Sequence, residues 1–329
     1  MSRPMLPRGA TRSRAGEVRG RARGGEGPRT LGLLLWLAIA GVALALAPPP
    51  PAPPVITAEE IRGLEASIDR ALAAAERWEE IRGDRVIPWE EAQGHLAIVV
   101  DDVGRELHLF EQLHGLRYRL TFSILPGAVY SAGAQLRLRA DRRRPREILL
   151  HLPMEPLNRG AMTPDVAAGE VFLEVGDPAQ VLREKAAAAL ARVPAAVGVN
   201  NHMGSALTAE RPAMDAVVGL LRERGLFALD SLTGPDSALA EAAVDAGVPV
   251  LRRAFFLDHD PRRSAIEAQL RLAAAAAREG PVVAIGHPSS ALVEVLREEL
   301  PRLEAEGIAI VPVSEILRRG GGIGGTERE

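Results

Sequence analysis

Two adjacent carboxylates, Asp101 and Asp102, close the apolar run LAIVVDDVG. Such a run reads as a buried strand, and two unpartnered charges at its end would be costly to bury. A cation resolves that cost. One carboxylate binds a metal while its neighbour takes a proton from the attacking water, whose pKa a zinc site lowers to about 7. An Asp that only caps the following helix is the plainer alternative.

His151 in ILLHLPMEP and His202 in GVNNHMGS each follow an apolar stretch. With Asp102 they offer two nitrogens and one oxygen to a divalent metal, zinc first. That leaves a position for water and substrate, the make-up of a catalytic zinc site. His287 in AIGHP could donate a proton to a leaving group, or pin a turn ahead of Pro288. Asn200 and Asn201 orient His202, contact sugar hydroxyls or form a turn. Asp230, Arg253 and Asp258 are candidates to fix a catalytic carboxylate through a charge pair, with ordinary ion pairing as the alternative. His95, His108, His114 and His259 have no such setting.

These groups need elements that bring them together. From residue 95 onward short apolar runs alternate with helical patterns, which predicts βα units around a mostly parallel sheet. Strands are expected near 95–102, 119–125, 147–152, 196–201, 226–230, 249–257, 281–286 and 308–313. Catalytic groups of parallel α/β folds gather at the carboxyl ends of strands, and the candidates above fall there. The helix after Thr208 places Met214, Val217, Val218 and Leu221 on one face and ends at Gly225, a left-handed cap. Another begins at a capping-box pair, Ser264 and Glu267, and turns Ile266, Leu270, Ala273, Ala274 and Ala277 inward. No nucleotide-binding Gly-rich fingerprint or phosphate-binding loop is present.

The chain of 329 residues suggests about two domains by length, but α/β barrels of about 250 residues form one. Absence of cysteine excludes disulfides, thiolate nucleophiles and Cys-ligated zinc, so any metal is held by His and carboxylate. Residues 1–30 read as a basic disordered tail with eight arginines against two glutamates. Residues 31–47 are apolar or small throughout, a transmembrane signal anchor or a signal peptide. Arginines before this segment and almost none just after it predict an exported domain, periplasmic or extracellular, anchored in the inner membrane or secreted if cleaved. A Pro-rich linker spans 48–56. An amphipathic helix or stalk spans 57–91, with Thr57 and Glu60 as its capping box, and its 57–82 stripe could serve self-association. The main domain is expected over 92–318, before a Gly-rich flexible tail at 319–329. Scattered arginines and only 3% aromatics argue against a nucleic-acid partner.

The ordered motifs VVDDVG, HLPMEP, GVNNHMGS, LDS, FFLD and GHP closely resemble the divergent polysaccharide deacetylase family, a branch of the nodulation-factor chitin deacetylase superfamily, over about residues 94–317. The resemblance implies a distorted (β/α) barrel of seven to eight mostly parallel strands. It also implies a divalent metal, commonly zinc, and removal of N- or O-acetyl groups from glycans. It makes Asp101 the base, Asp102 a metal ligand and His287 the acid. The superfamily pattern sets two metal histidines four residues apart, whereas the position four after His151 is Glu155. Either His202 completes the site from another loop or Glu155 ligates. The expected activity is metal-dependent deacetylation of an envelope or extracellular polysaccharide. The alternative is a catalytically silent glycan-binding or envelope-scaffolding protein.

Overall fold

Each strand expected from residue 95 onward is found, 249–257 as two, and all pairings between the described strands are parallel. In the computed structural model, which describes Ala66 and residues 83–141, 144–161 and 169–320, the strands are β1 (Gly94–Val103), β2 (Thr121–Ile124), β3 (Glu147–Met154), β4 (Gly198–Met203), β5 (Phe227–Asp230), β6 (Val250–Arg252), β7 (Phe255–Phe256), β8 (Val282–Gly286) and β9 (Ile308–Ile310). Between them run α1 (His108–His114), α2 (Ser131–Ala140), α3 (Ala179–Arg192), α4 (Arg211–Arg224), α5 (Leu239–Asp245), α6 (Arg263–Ala276) and α7 (Ser290–Ala305), and α8 (Val313–Arg318) follows β9.

The sheet order is β6-β5-β4-β3-β2-β1-β8-β7, with β9 also on β1. β6 and β7 stand at opposite ends of that order, yet only Arg253 and Ala254 separate them in sequence. Arg253 N donates to Asp230 O of β5 at 2.9 Å, and Ala254 N donates to Val283 O of β8 at 2.8 Å. The segment expected as one strand over 249–257 is therefore two short strands. Its first half pairs with β5 and its second with β8, which brings the margins of the curled sheet together as a distorted barrel.

Alternation along each strand sorts side chains into two apolar clusters. Leu96, Ile98 and Val100 of β1 join the cluster beneath the helices, while Ala97 and Val99 join the inner one. Leu149, Phe227, Leu229, Leu251, Val283, Ile285 and Ala309 share that interior. Val313 and Ile316 of α8, with Ile87, Trp89 and Ala92, close it at the amino ends of the strands. The interior is packed at that end, so a site can form only at the carboxyl ends.

α4 ends as its sequence predicts, at Gly225 with φ 66° and ψ 31°. α6 departs from expectation: its N-cap is Arg262 without a side-chain cap bond, and Ser264 lies inside the first turn. Asp260 Oδ1 accepts from Arg262 N at 3.0 Å, and this local turn starts the helix ahead of the expected capping box.

The chain divides into two units at Arg70/Ala71, and of the first only Ala66 is described. The basic tail, the apolar segment 31–47, the Pro-rich linker and nearly all of the 57–82 stripe, with its Thr57–Glu60 box, lie outside the described residues, as do residues 321–329. Among the described residues no helix is long and apolar enough to cross a membrane. The described end of the expected stalk belongs to the barrel instead. Residues 83–88 are irregular and Trp89–Glu91 form one 3-10 turn. Arg146 holds Asp84 through two guanidinium nitrogens, Nη2 at 2.8 Å, with its own side chain wholly buried. Arg117 Nε donates to Gly83 O at 2.7 Å, and Trp89 stacks on His95 at 3.6 Å. Residues 83–91 thus pack on the unit that holds the sheet.

Candidate active site

The inward parity of the strands continues past the apolar interior into polar residues. Ala97 and Val99 lead to Asp101, Leu149 to His151, Phe227 and Leu229 to Ser231, Leu251 to Arg253, and Ile285 to His287. Asn200 and His202 share a face of β4, and Ser123 ends the inner row of β2. Asp102 breaks the parity and still turns inward. The β1–β2 register shifts between Val100 and Val103, and Asp102 takes φ +54°, a left-handed conformation that Asp tolerates better than most residues. Two neighbouring carboxylates can thus face one site.

Three of these groups meet at a point. Asp102 Oδ1 lies 3.0 Å from His202 Nδ1 and 3.3 Å from His151 Nε2, and the two nitrogens are 3.2 Å apart. Donors bound tetrahedrally at about 2.0–2.1 Å from a zinc ion stand about 3.3 Å from one another. The triangle has those dimensions, and Asp102 Oδ1 is buried without a hydrogen bond of good geometry. The residues therefore fit a divalent cation. Asp102, His151 and His202 form the group able to hold one among the described residues. Glu155 does not belong to it: its oxygens accept from Arg159 Nε and Val175 N, both at 2.7 Å.

Asn200 organises both His151 and the neighbouring carboxylate. Its Nδ2 donates to Asp101 Oδ1 at 2.9 Å and Oδ2 at 3.1 Å, and its Oδ1 accepts from Ser123 Oγ. The same Oδ1 faces His151 Nδ1 at 3.1 Å, so that nitrogen carries the hydrogen and Nε2 presents its lone pair to the site. Asn200 thus orients His151, not His202, and is fully buried, out of reach of a sugar. Asn201 is structural: it donates to Met203 O at 2.7 Å and accepts from Ser231 N at 2.9 Å.

Electrostatics follow from burial and charge. Burial pushes the Asp102 carboxyl up, but the facing imidazoles outweigh it and hold it well below the usual carboxylate range. Burial dominates at His202 and lowers it, which favours the neutral ring that a ligand must be. At His151 burial is outweighed by the charge of Asp101 and by Asp102, and the group is raised. Burial also pulls His287 down, yet the hydrogen bond with Asp258 and the charges of Asp101, Asp102 and Asp258 push it up to about 9. Asp258 accepts from His287 N at 2.6 Å and faces its Nδ1 at 3.2 Å, fixing the ring.

Of the expected supporting residues, Asp230 does other work. Asp230 has the outward parity of Ala228; it accepts from Leu232 N at 2.9 Å and lies 3.6 Å from Arg252 Nε, so it braces the barrel margin. Arg253 donates to Ser231 O at 2.6 Å and Leu232 O at 2.8 Å, lies over the Phe256 ring at 5.0 Å, and keeps its charge within the field of Asp230 and Asp101 as expected. Residues not singled out from sequence also surround the site. Ser123 could have been found from strand parity alone. Arg105 Nη2 is 3.4 Å from His202 Nε2 and its Nε 3.4 Å from Asp102 Oδ2, while Glu170 sits on a non-regular segment; neither carries a sequence signal.

A model of the family described as divergent polysaccharide deacetylase matches residues 98–317. The chain is 32% identical over 230 residues to the uncharacterized protein YibQ of Escherichia coli (strain K12), covering 68% of this chain and 67% of that one. It is 34% identical over 228 residues to an uncharacterized protein of Haemophilus influenzae, covering 69% and 78%. The crystal structure of an uncharacterized protein from Agrobacterium tumefaciens C58 superposes with a TM-score of 0.61 at 26% identity, covering 70% of this chain and 92% of that one.

Proposed function

The chain belongs to the divergent polysaccharide deacetylase family, and from that premise we propose a divalent-metal-dependent hydrolase that removes acetyl groups from an envelope or extracellular polysaccharide. The observation that carries this reading is the meeting of Asp102, His151 and His202, with Asp101 and His287 on the same rim. A cation bound by those three donors, which we assign as zinc from the N2O set, would polarise the acetyl carbonyl and acidify water.

The remaining work belongs to the chain's own side chains. Asp101, held by both Asn200 contacts and 3.6 Å from His151 Nε2, takes the proton of the attacking water. His287, held protonated by Asp258, returns a proton to the departing amine or alkoxide. A silent glycan-binding scaffold would need neither a base nor an acid tuned by a buried carboxylate, which is why hydrolysis is the preferred reading. We further propose that the domain is exported and tethered to the inner membrane through residues 31–47, with residues 57–82 available for self-association.

Acetate release from acetylated glycans is the direct test. Full metal occupancy with no release from any envelope polysaccharide would defeat the hydrolase. Replacing Asp101 by Asn should lower kcat by at least about a hundredfold while zinc and sugar still bind.

A further inference from the structure

Arg105 has no part in the reaction above, yet its backbone is fixed beside the triad. Asp102 has φ +54° and Gly104 φ +113°, so the chain folds back within three residues and sets Arg105 against Asp102. Gly104 is required on two counts: its positive φ favours glycine, and a Cβ there would lie 2.6 Å from Ser131 Oγ. The turn is pinned from the segment between β2 and α2, where Leu125 N donates to Val103 O at 3.0 Å and Tyr130 N to Gly104 O at 2.9 Å. The next carboxylate, Glu106, turns to α1 instead and accepts from Leu109 N at 2.9 Å.

This turn sorts the two oxygens of Asp102. Oδ1 is the one nearest both imidazoles, 3.0 Å from His202 Nδ1 and 3.3 Å from His151 Nε2, and it is buried without a hydrogen bond. Oδ2 faces Arg105 Nε at 3.4 Å, and that nitrogen is also buried without a hydrogen bond. The attraction between them is electrostatic, and solvent screens it less than it would at an open surface. Arg105 Nη2 stands 3.4 Å from His202 Nε2 as well. If His202 gives Nδ1 to a cation, its Nε2 carries the hydrogen and cannot accept from Arg105. Asp102 Oδ2 is then the group that holds the guanidinium, and is held by it.

We propose that Arg105 is a positioning residue that keeps Asp102 a monodentate ligand: by holding Oδ2 away from the cation, it preserves the coordination place that water and substrate need. This rests on the metal reading above. A carboxylate binds a cation through one oxygen or through both. A second Asp102 oxygen would fill the place that a catalytic site with three protein ligands leaves open. Loss of a group that orients a ligand typically costs about 10–100-fold in metal affinity or activity. For Arg105 the loss falls on activity alone, because removing it takes a positive charge away from the cation and frees a second oxygen to bind. Arg105 transfers no proton and touches no substrate in this role.

The probe is cobalt(II), whose visible absorption is intense with four ligands and much weaker with five or six. The full chain loaded with cobalt should show the intense bands. Arg105→Gln should lose at least about half of that intensity, a change of geometry and not of occupancy. It should bind cobalt and zinc no more weakly than the unaltered chain, and with zinc its kcat should fall about tenfold. Arg105→Lys, which keeps the charge, should retain the intense bands. The Tm of the metal-free variants, the control for folding, should not change. Unaltered bands in Arg105→Gln overturn the proposal alone, since Asp102 would then stay monodentate unaided. Weaker metal binding by Arg105→Gln at unchanged metal-free Tm overturns it too, because Arg105 would then be assembling the triad. No binding of cobalt or zinc by the unaltered chain overturns the metal reading itself.

Discussion

Asn200 and Asp258 are the residues through which the site acquires a defined protonation state. A buried asparagine that donates to Asp101 and accepts from His151 makes the carboxylate and the imidazole parts of one network. Asp258 does the same for His287. The sign of its effect can be worked out. His287 is raised to about 9, above its ordinary value of about 6.5, so the acid form persists well into alkaline solution and is lost as pH rises through the folded value. Asp258→Asn removes a bond that favours the protonated ring. The His287 midpoint, followed by NMR in the metal-free protein, should move down, and the alkaline limb of kcat/KM should move down with it. A limb that stays in place would mean that some other group is the acid. The pairing of His287 with Asp258 was within reach of the motifs FFLD and GHP. Arg105 and Glu170 were not, because nothing in a lone arginine or glutamate in a loop separates a rim residue from a solvated one.

Elements matter here through parity and through the ends they leave open. Each strand alternates between helix-facing and interior side chains, so where the apolar interior stops, the next inward position is a site residue. Val99 leads to Asp101 and Ile285 to His287 in this way. The exception is Asp102, whose left-handed backbone at the β1 register shift decides that both carboxylates are used. The opposite end of the barrel is closed by the 83–91 segment, whose hold on the domain is the buried Asp84–Arg146 pair. Arg146→Leu leaves Asp84 charged and unpaired, and should cost about 3–5 kcal/mol of stability. The measurement is a denaturant midpoint at constant m-value; a change under about 1 kcal/mol would mean that the segment contributes little to closing the barrel.

At the scale of the whole molecule, three candidate ligands from three strand ends, far apart in the chain, can make a metal site only when the barrel is formed. Binding should therefore stabilise the fold by mass action, by about 2.7 kcal/mol when free metal is a hundredfold above its dissociation constant. Zinc should raise Tm in a concentration-dependent way, a chelator should reverse the rise, and Asp102→Asn should abolish it; an unchanged Tm would leave the triad without its cation. The sequence by itself determined the strands, the parallel α/β class, the residues that end each strand and the family, because apolar periodicity and local turn chemistry act over a few residues. It did not determine that 249–257 would break into two strands to bring the sheet margins together, that Glu155 would turn away from Asp102 and His151 while His202 lies beside them, or that Asp230 would face away from them. Those outcomes depend on the curl of the sheet and on distances between residues some fifty to a hundred positions apart, which only the closed tertiary structure sets.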